Sequence, residues 1–199
     1  MLNKILVPSV YFGPIEYYKF LSKHNNICIE VQEHYIKQTI RNRCHISSAN
    51  GKLRLTVPVT KTNHTKIKNI KICYKQNWIK NHWYSIKSSY GSSPYFLFYE
   101  NEIFNILQKH EKYLIDLNTA LQNKIFEILD INPIVKYTKD YNNDEDIFDL
   151  RNHSFLNNNI KPYNQVFMHK FNFIPDLSIL DLIFNLGPQS TKYLIESDM

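Results

Sequence analysis

The chain is poor in cysteine, with Cys28, Cys44 and Cys73 in 199 residues. An odd number without CxxC spacing argues against a disulfide framework or a zinc knuckle and leaves buried free thiols as the reading. No stretch of about eighteen apolar residues occurs, so no membrane-inserted helix is expected. The apolar run after Met1 is too short and too soon interrupted for a secretory signal, and a cytoplasmic protein is therefore expected. HExxH, GxGxxG, the P-loop and the GxSxG nucleophile elbow are all missing, which removes support for a zincin, a dinucleotide enzyme, an NTPase or a standard α/β-hydrolase. Acidic residues are scarce at the front. Residues 1–90 carry 15 Lys and Arg against 3 Asp and Glu, whereas residues 91–199 carry 9 against 15.

A basic half within a chain of net charge +6 points to an anionic partner. The abundance of Asn, Ile, Lys and Tyr is also what AT-biased codon usage produces, so the lysines say little. Arginine is less favoured by that bias, and Arg41, Arg43 and Arg54 are the more informative cations. On an extended backbone Arg41 and Arg43 leave the same face, with Gln38 and Asn42 turned the other way. Two such guanidinium groups can grip a phosphate or carboxylate through paired hydrogen bonds, less specifically matched by lysines.

Hydrophobic patterning predicts an α/β protein with a mixed sheet, helices packed on it and a C-terminal helical part, in one domain spanning 1–199. Lys4 to Pro8 reads as a strand, Ile15 to Lys23 as a helix and Ile27 to Val31 as a second strand. Ala49-Asn50-Gly51 marks a hairpin turn, because Asn and Gly tolerate the positive φ that a tight turn demands. Leu53, Leu55, Val57 and Val59 alternate with polar residues as a half-buried strand that Pro58 ends or confines to an edge. Ile70, Ile72 and Tyr74 predict a further strand. The period then turns helical: Ile79, Trp83, Ile86 and Tyr90 form one stripe and Trp78, His82, Ser85 and Ser89 the next. Ser93-Pro94 predicts an N-cap, Leu114 to Ile128 a long amphipathic helix, and 139–160 a loop or shortened insertion. Ser178 to Asp181 has capping-box spacing before a short helix stopped by Gly187-Pro188.

Six tracts carry a resemblance in order and spacing: Tyr11-Phe-Gly-Pro-Ile15, Gln38 to Arg43, Ala49 to Val59, Trp78 to Trp83, Tyr90 to Tyr99 and Phe173 to Pro188. They resemble the WbqC-like proteins across nearly the whole chain. Asn42-Arg43 ahead of Ala49-Asn50-Gly51 and Thr56-Val57-Pro58-Val59 is the more specific combination. The resemblance implies a place in bacterial surface-polysaccharide (O-antigen) biosynthesis, as a transferase that modifies an activated, nucleotide-linked sugar by acyl or aminoacyl transfer. Two departures bear on substrate choice. Val7-Pro8 stands where many relatives have Gln-Pro, and 139–163 is shorter than the Gly-rich stretch of others.

The candidate chemistry combines the residues with this resemblance. Arg41 and Arg43 are expected to clamp the anion, and Gln38 and Asn42 to pair with a base, sugar or amide. His82 is the candidate general base, one helical turn from Trp78, whose ring offers a flat apolar wall. Glu30 is the alternative carboxylate base, or a salt-bridge partner for an arginine. Tyr11 sits by the Gly13-Pro14 turn, where a strand meets a helix whose amides attract phosphate. The expected partner is a small anionic ligand such as a nucleotide-sugar. A non-enzymatic anion- or nucleic-acid-binding module is the alternative; nucleic acid is disfavoured because the aromatics fall on apolar stripes. Cys44 and His45 are adjacent, so on a strand they face opposite ways and cannot act as a thiol–imidazole pair. No metal is indicated, and the cofactor and oligomeric state are left open.

Overall fold

A computed structural model describes residues 4–60, 63–141, 147–156 and 160–196. The first strand, β1 (Lys4–Pro8), passes through helix α1 (Ile15–Leu21) to β2 (Asn26–Glu30), which lies parallel to it with Ile5 opposite Ile27 and Val7 opposite Ile29. Much later in the chain β5 (Ile134–Tyr137) adds to the far side of β2, and β6 (Phe148–Asp149) adds to the far side of β1, both parallel. The sheet order is thus β5-β2-β1-β6, and its direction of growth reverses between β1 and β6. Parallel strands buried on both faces read as continuous apolar runs, as Ile5-Leu6-Val7 does. Ile5 and Val7 enter the main core, while Leu6 joins Cys28 and Ile147 on the other face.

Between β2 and β5 lies the second layer. Strands β3 (Arg43–Ser48) and β4 (Gly51–Thr56) form an antiparallel hairpin closed by Ser48 opposite Gly51. Gly51 takes φ +93, which a residue with a Cβ adopts only with strain. Helices α2 (Trp78–Tyr90), α3 (Phe96–Gln108) and α4 (Leu114–Ile128) follow with their apolar stripes inward, burying Ile86, Tyr90, Ile103, Leu117 and Ile125. Asn118 on α4 ties this layer to the sheet. Its amide donates to Ser9 Oγ at 3.0 Å and to the Arg41 carbonyl at 2.9 Å.

Helix α6 (Ile179–Leu186) is the most deeply buried element, and it is preceded by the short α5 (Met168–Phe171) and followed by α7 (Ser190–Glu196). Ser178 caps it by accepting from the Leu180 amide, one residue before the Asp181 amide that a capping box would use. The second half of the box is used otherwise. The Asp181 carboxylate accepts from Tyr163 Oη and Gln165 Nε2, which fastens the segment after residue 160 to the core.

The mixed α/β expectation holds, with the sheet resolved into a four-stranded parallel sheet and a separate hairpin. Several local expectations are corrected. The strand predicted at Ile70 to Tyr74 is not built. It makes only isolated bridges, Val59 with Ile72 and Lys71 with Tyr113, because Pro58 lacks the N–H that would extend a ladder. Ser93 does not cap α3; its hydroxyl donates to the Tyr90 carbonyl at 2.6 Å and the helix begins at Phe96. The predicted loop 139–160 contains β6, while 142–146 and 157–159 of it lie outside the described residues. Helix α7 and strand β5 were not foreseen. Leu53 is 36% exposed rather than buried.

Burial lifts the Asp181 carboxyl from 3.8 to about 6, against the opposing pull of its Tyr163, Gln165 and Tyr90 hydrogen bonds. A folded-state value above the unfolded one means the folded protein holds the proton more tightly. The associated stability is complete below pH 4 and lost as pH rises through 6. Asp181→Asn is therefore expected to gain on the wild type in urea-denaturation midpoint as pH increases from 4 to 7. A constant difference across that range would place the titration elsewhere.

Candidate functional site

Two strand ends and one turn converge above the sheet. Glu30 closes β2 and is fully buried. Its Oε1 accepts from the amides of Gln32 and Glu33 at 2.6 and 3.2 Å and from Thr138 Oγ1 at 2.8 Å, and its Oε2 accepts from Arg151 Nη1 at 3.0 Å. Arg151 follows β6 by two residues and also grips Asp149, with Nη2 to Oδ2 at 2.6 Å. Burial favours the neutral Asp149 carboxyl, but the hydrogen bonds and charge of Arg151 outweigh it and hold that group below its ordinary range. The same contacts push the Arg151 guanidinium up, so it stays charged throughout the range in which proteins fold. Beside it Arg41 makes a bidentate pair with Glu33, both contacts 2.6 Å, and donates from Nη2 to the Arg151 carbonyl at 3.3 Å.

Arg41 and Arg43 do not share a strand face. Residues 37–42 form a turn, Gln38 takes φ +63, and β3 begins only at Arg43. The turn sends Arg41 inward to Glu33, with 3% of its surface exposed, and leaves Arg43 half-buried. Asn42 locks the turn to the strand after β4: its amide donates to the Val57 carbonyl at 2.9 Å, and the Val57 amide donates back to the Asn42 carbonyl at 2.8 Å.

These groups wall a cavity of about 430 Å³. Phe12 and Pro14 follow β1 and Arg151 to Phe155 follow β6, so the cavity lies outside the carboxyl ends of the two strands where the sheet reverses its growth. That is the position at which open α/β sheets commonly hold ligands. Its remaining walls are the turn at 38–41, one face of the β3–β4 hairpin and the approach to α6 at Asp176 to Ser178. On the hairpin, Arg43 and His45 are two residues apart and Arg54 sits opposite His45, which puts all three on one face. All four arginines of the chain line this one cavity, and none of the described lysines does. Among the described residues, Asp176 is the one acidic side chain of the lining.

The arginines divide into two kinds. Arg41 and Arg151 are held by carboxylates. Among the described residues Arg43 and Arg54 have no ion-pair partner, and Arg43 Nε is buried without a hydrogen-bond acceptor. His45 is half-buried beside them. Burial, then the charges of Lys52, Arg54 and Arg43, lower its pKa while Asp176 acts the other way, which favours the neutral imidazole. Phe12, Gln38 and Asp176, three of the seven non-glycine residues with positive φ among those described, line the cavity; such backbone strain gathers at functional sites.

Of the residues singled out from sequence, the structure brings Gln38, Arg41 and Arg43 to this cavity, and Asn42 to a neighbouring one that Gln38 and Arg43 also line. Glu30 stands behind the wall as the partner of Arg151. Tyr11, Trp78 and His82 form a separate buried cluster that is not among the lining. There the Tyr11 hydroxyl bonds His82 Nδ1 at 2.9 Å, and Trp78 packs between Tyr74 and His82 with ring centroids 5.9 and 5.0 Å away. Sequence reasoning passed over Arg151, hidden in a segment read as loop, and His45, set aside with Cys44. Cys44 does face the core, and burial pushes its thiol up, away from nucleophilic use. Among the described residues no group of three or more His, Cys, Asp or Glu is placed to hold a metal, and no helix is long and apolar enough to cross a membrane.

Burial lowers His82 from 6.5 to about 4, opposed by its bond with the Thr56 backbone. A folded-state value below the unfolded one gives stability that is complete above pH 6.5 and lost as pH falls through 4. His82→Gln should accordingly be destabilised by about 1–2 kcal/mol at pH 7, with the deficit shrinking toward pH 4. Urea titrations of both proteins over that range test it, and an unchanging deficit would remove His82 as the titrating group.

The chain is 26% identical over 230 aligned residues to the uncharacterized protein Rv1507c of Mycobacterium tuberculosis, covering 98% of each chain. No solved structure matches it. The profile of the WbqC-like protein family matches residues 9–153, a span that takes in Arg41, Arg43, His45, Arg54 and Arg151, and the chain belongs to that family.

Proposed function

We propose that this protein is a cytoplasmic transferase that binds the anionic part of a nucleotide-linked sugar in the arginine-lined cavity and transfers an acyl or aminoacyl group to it, within bacterial surface-polysaccharide biosynthesis. The observation that carries the reading is the gathering of all four arginines, and no described lysine, around one cavity. Codon bias accounts for scattered lysines; it does not place four arginines together. Arg43 and Arg54 supply the cationic donors that no carboxylate among the described residues occupies, suited to a phosphate. Arg41 and Arg151, already neutralised, form the rigid wall behind them.

His45 is the base in this reading. A hydroxyl or amine of the bound substrate that reaches its imidazole forms the new bond to an activated acyl carbon, the bond to the leaving group breaks, and the proton passes through His45 to the leaving group. The lowered pKa of His45 keeps the acceptor form populated at neutral pH. A cavity of about 430 Å³ suits a small ligand, whereas a polymer-binding surface needs a broad basic stripe with exposed aromatics.

A ligand present at a hundredfold excess over its Kd stabilises the folded state by about 2.7 kcal/mol, a rise in melting temperature of about 5–10 °C for a chain of this size. A thermal-shift screen of nucleoside diphosphates, nucleotide-sugars, acyl-CoA and amino acids should give such a rise with the phosphate-bearing compounds. Arg43→Ala should weaken binding about tenfold to a hundredfold while the unliganded melting point stays near that of the wild type. Equal shifts in both proteins would remove Arg43 from the site.

A further inference from the structure

Gln38 and Arg43 form a partition with a cavity on either side. Beyond the arginine-lined cavity lies a second concavity of about 860 Å³, lined by Tyr35, Lys37, Asn42, Thr56 and Thr60 together with the strip Val57-Pro58-Val59. Its chemistry differs from that of the first. Among the described residues no acidic side chain lines it, and its polar groups are hydroxyls, amides and a single lysine besides the shared Arg43. Two buried polar atoms in the dividing segment lack partners, Arg43 Nε and Asn42 Oδ1. Asn42 is 5% exposed, and its amide nitrogen is already committed to Val57, so its oxygen is an acceptor held in place and left unfilled. The backbone is strained at the same place, with Gln38 at φ +63.

Hydroxyls and amides around a short apolar strip are what a hydroxyl-rich ring requires. The polar groups meet its hydroxyls, and Val57 to Val59 meet its C–H face. Burial pushes Tyr35 up to about 12, against the pull of Arg43 and Arg41, which keeps its hydroxyl protonated and able to donate. Arg43 lines both cavities, so a phosphate beside it lies next to either space.

Resting on the anionic reading of the first cavity, we propose that the second cavity is the subsite for the hexose ring of a nucleoside diphosphate-hexose, with Arg43 taking the phosphate at the junction. The proposal assigns the two halves of one substrate to the two sides of the partition.

Isothermal titration calorimetry on the full chain separates the two claims. The probes are UDP, dTDP and GDP, each paired with its hexose ester: UDP-glucose, dTDP-glucose and GDP-mannose. In at least one pair the hexose ester should bind the wild type about tenfold more tightly than the bare diphosphate. Tyr35→Phe removes one hydroxyl, and Thr60→Trp, at an exposed position, fills the second cavity. Each should erase that gain while leaving diphosphate affinity within about twofold. Arg43→Ala should weaken both members of the pair. Failure of all six probes to bind the wild type overturns the anionic-site reading and this inference together. Diphosphate binding without a hexose gain, or a gain that survives in both second-cavity variants, overturns the inference alone.

Discussion

The structure depends on one buried arrangement of charge, Glu30 on Arg151 and Glu33 on Arg41, joined where Arg41 donates to the Arg151 carbonyl, with the exposed Asp149 as a second partner of Arg151. Such pairs are weak sources of net stability, because desolvation offsets most of the attraction, but removing one member strands the others at a cost of about 3–5 kcal/mol. Their value here is positional. Strand β6 has only two residues and pairs with β1 through Ile5 and Leu6 alone, too little ladder to fix the segment after it. Arg151 supplies the constraint by bonding the end of β2 from two residues beyond β6, so the sheet edge and the cavity wall are fastened by the same side chain.

That constraint explains why the cavity can keep free cations beside it. Four arginines around one space repel one another, and a site with all of them unpaired would be costly to fold. Two are neutralised by buried carboxylates and become framework, and two on the hairpin face keep their charge available. The hairpin is itself anchored at the site, since the Ser178 amide at the start of α6 donates to the His45 carbonyl at 2.8 Å. The rotation of the hairpin, and with it the aim of Arg43, His45 and Arg54, is thereby tied to the most buried helix of the molecule.

Much of this was legible in the sequence where local patterns decide structure. The turn at Asn50-Gly51, the stripe through Ile79, Ile86 and Tyr90 and the cap at Ser178 follow from backbone and side-chain preferences that need no distant partner. The failures share a different cause. Strand β6 and Arg151 depend on contacts with Glu30, which is 121 positions away, and no local pattern announces them. The Ile70 to Tyr74 segment has the burial alternation of a strand, with Ile70 and Ile72 buried, yet its neighbour carries Pro58 and the ladder stops. Arg41 and Arg43 were read on a straight strand, but the left-handed residue at Gln38 sets a turn in which the two side chains part.

His45 shows how far a sound local argument reaches. Adjacency to Cys44 does put the two on opposite faces, which excludes their working together and leaves open which face matters. The partner across the hairpin decides it: Arg54 stands opposite His45, and Arg43 stands two residues before it. A cation-flanked imidazole loses basicity, so it is a weak base when the cavity is empty. In the proposed reading, an anion bound between Arg43 and Arg54 offsets the part of that lowering which these two charges cause, while the larger part, from burial, remains. In that reading, occupancy of the site and the basicity of His45 are coupled through charge.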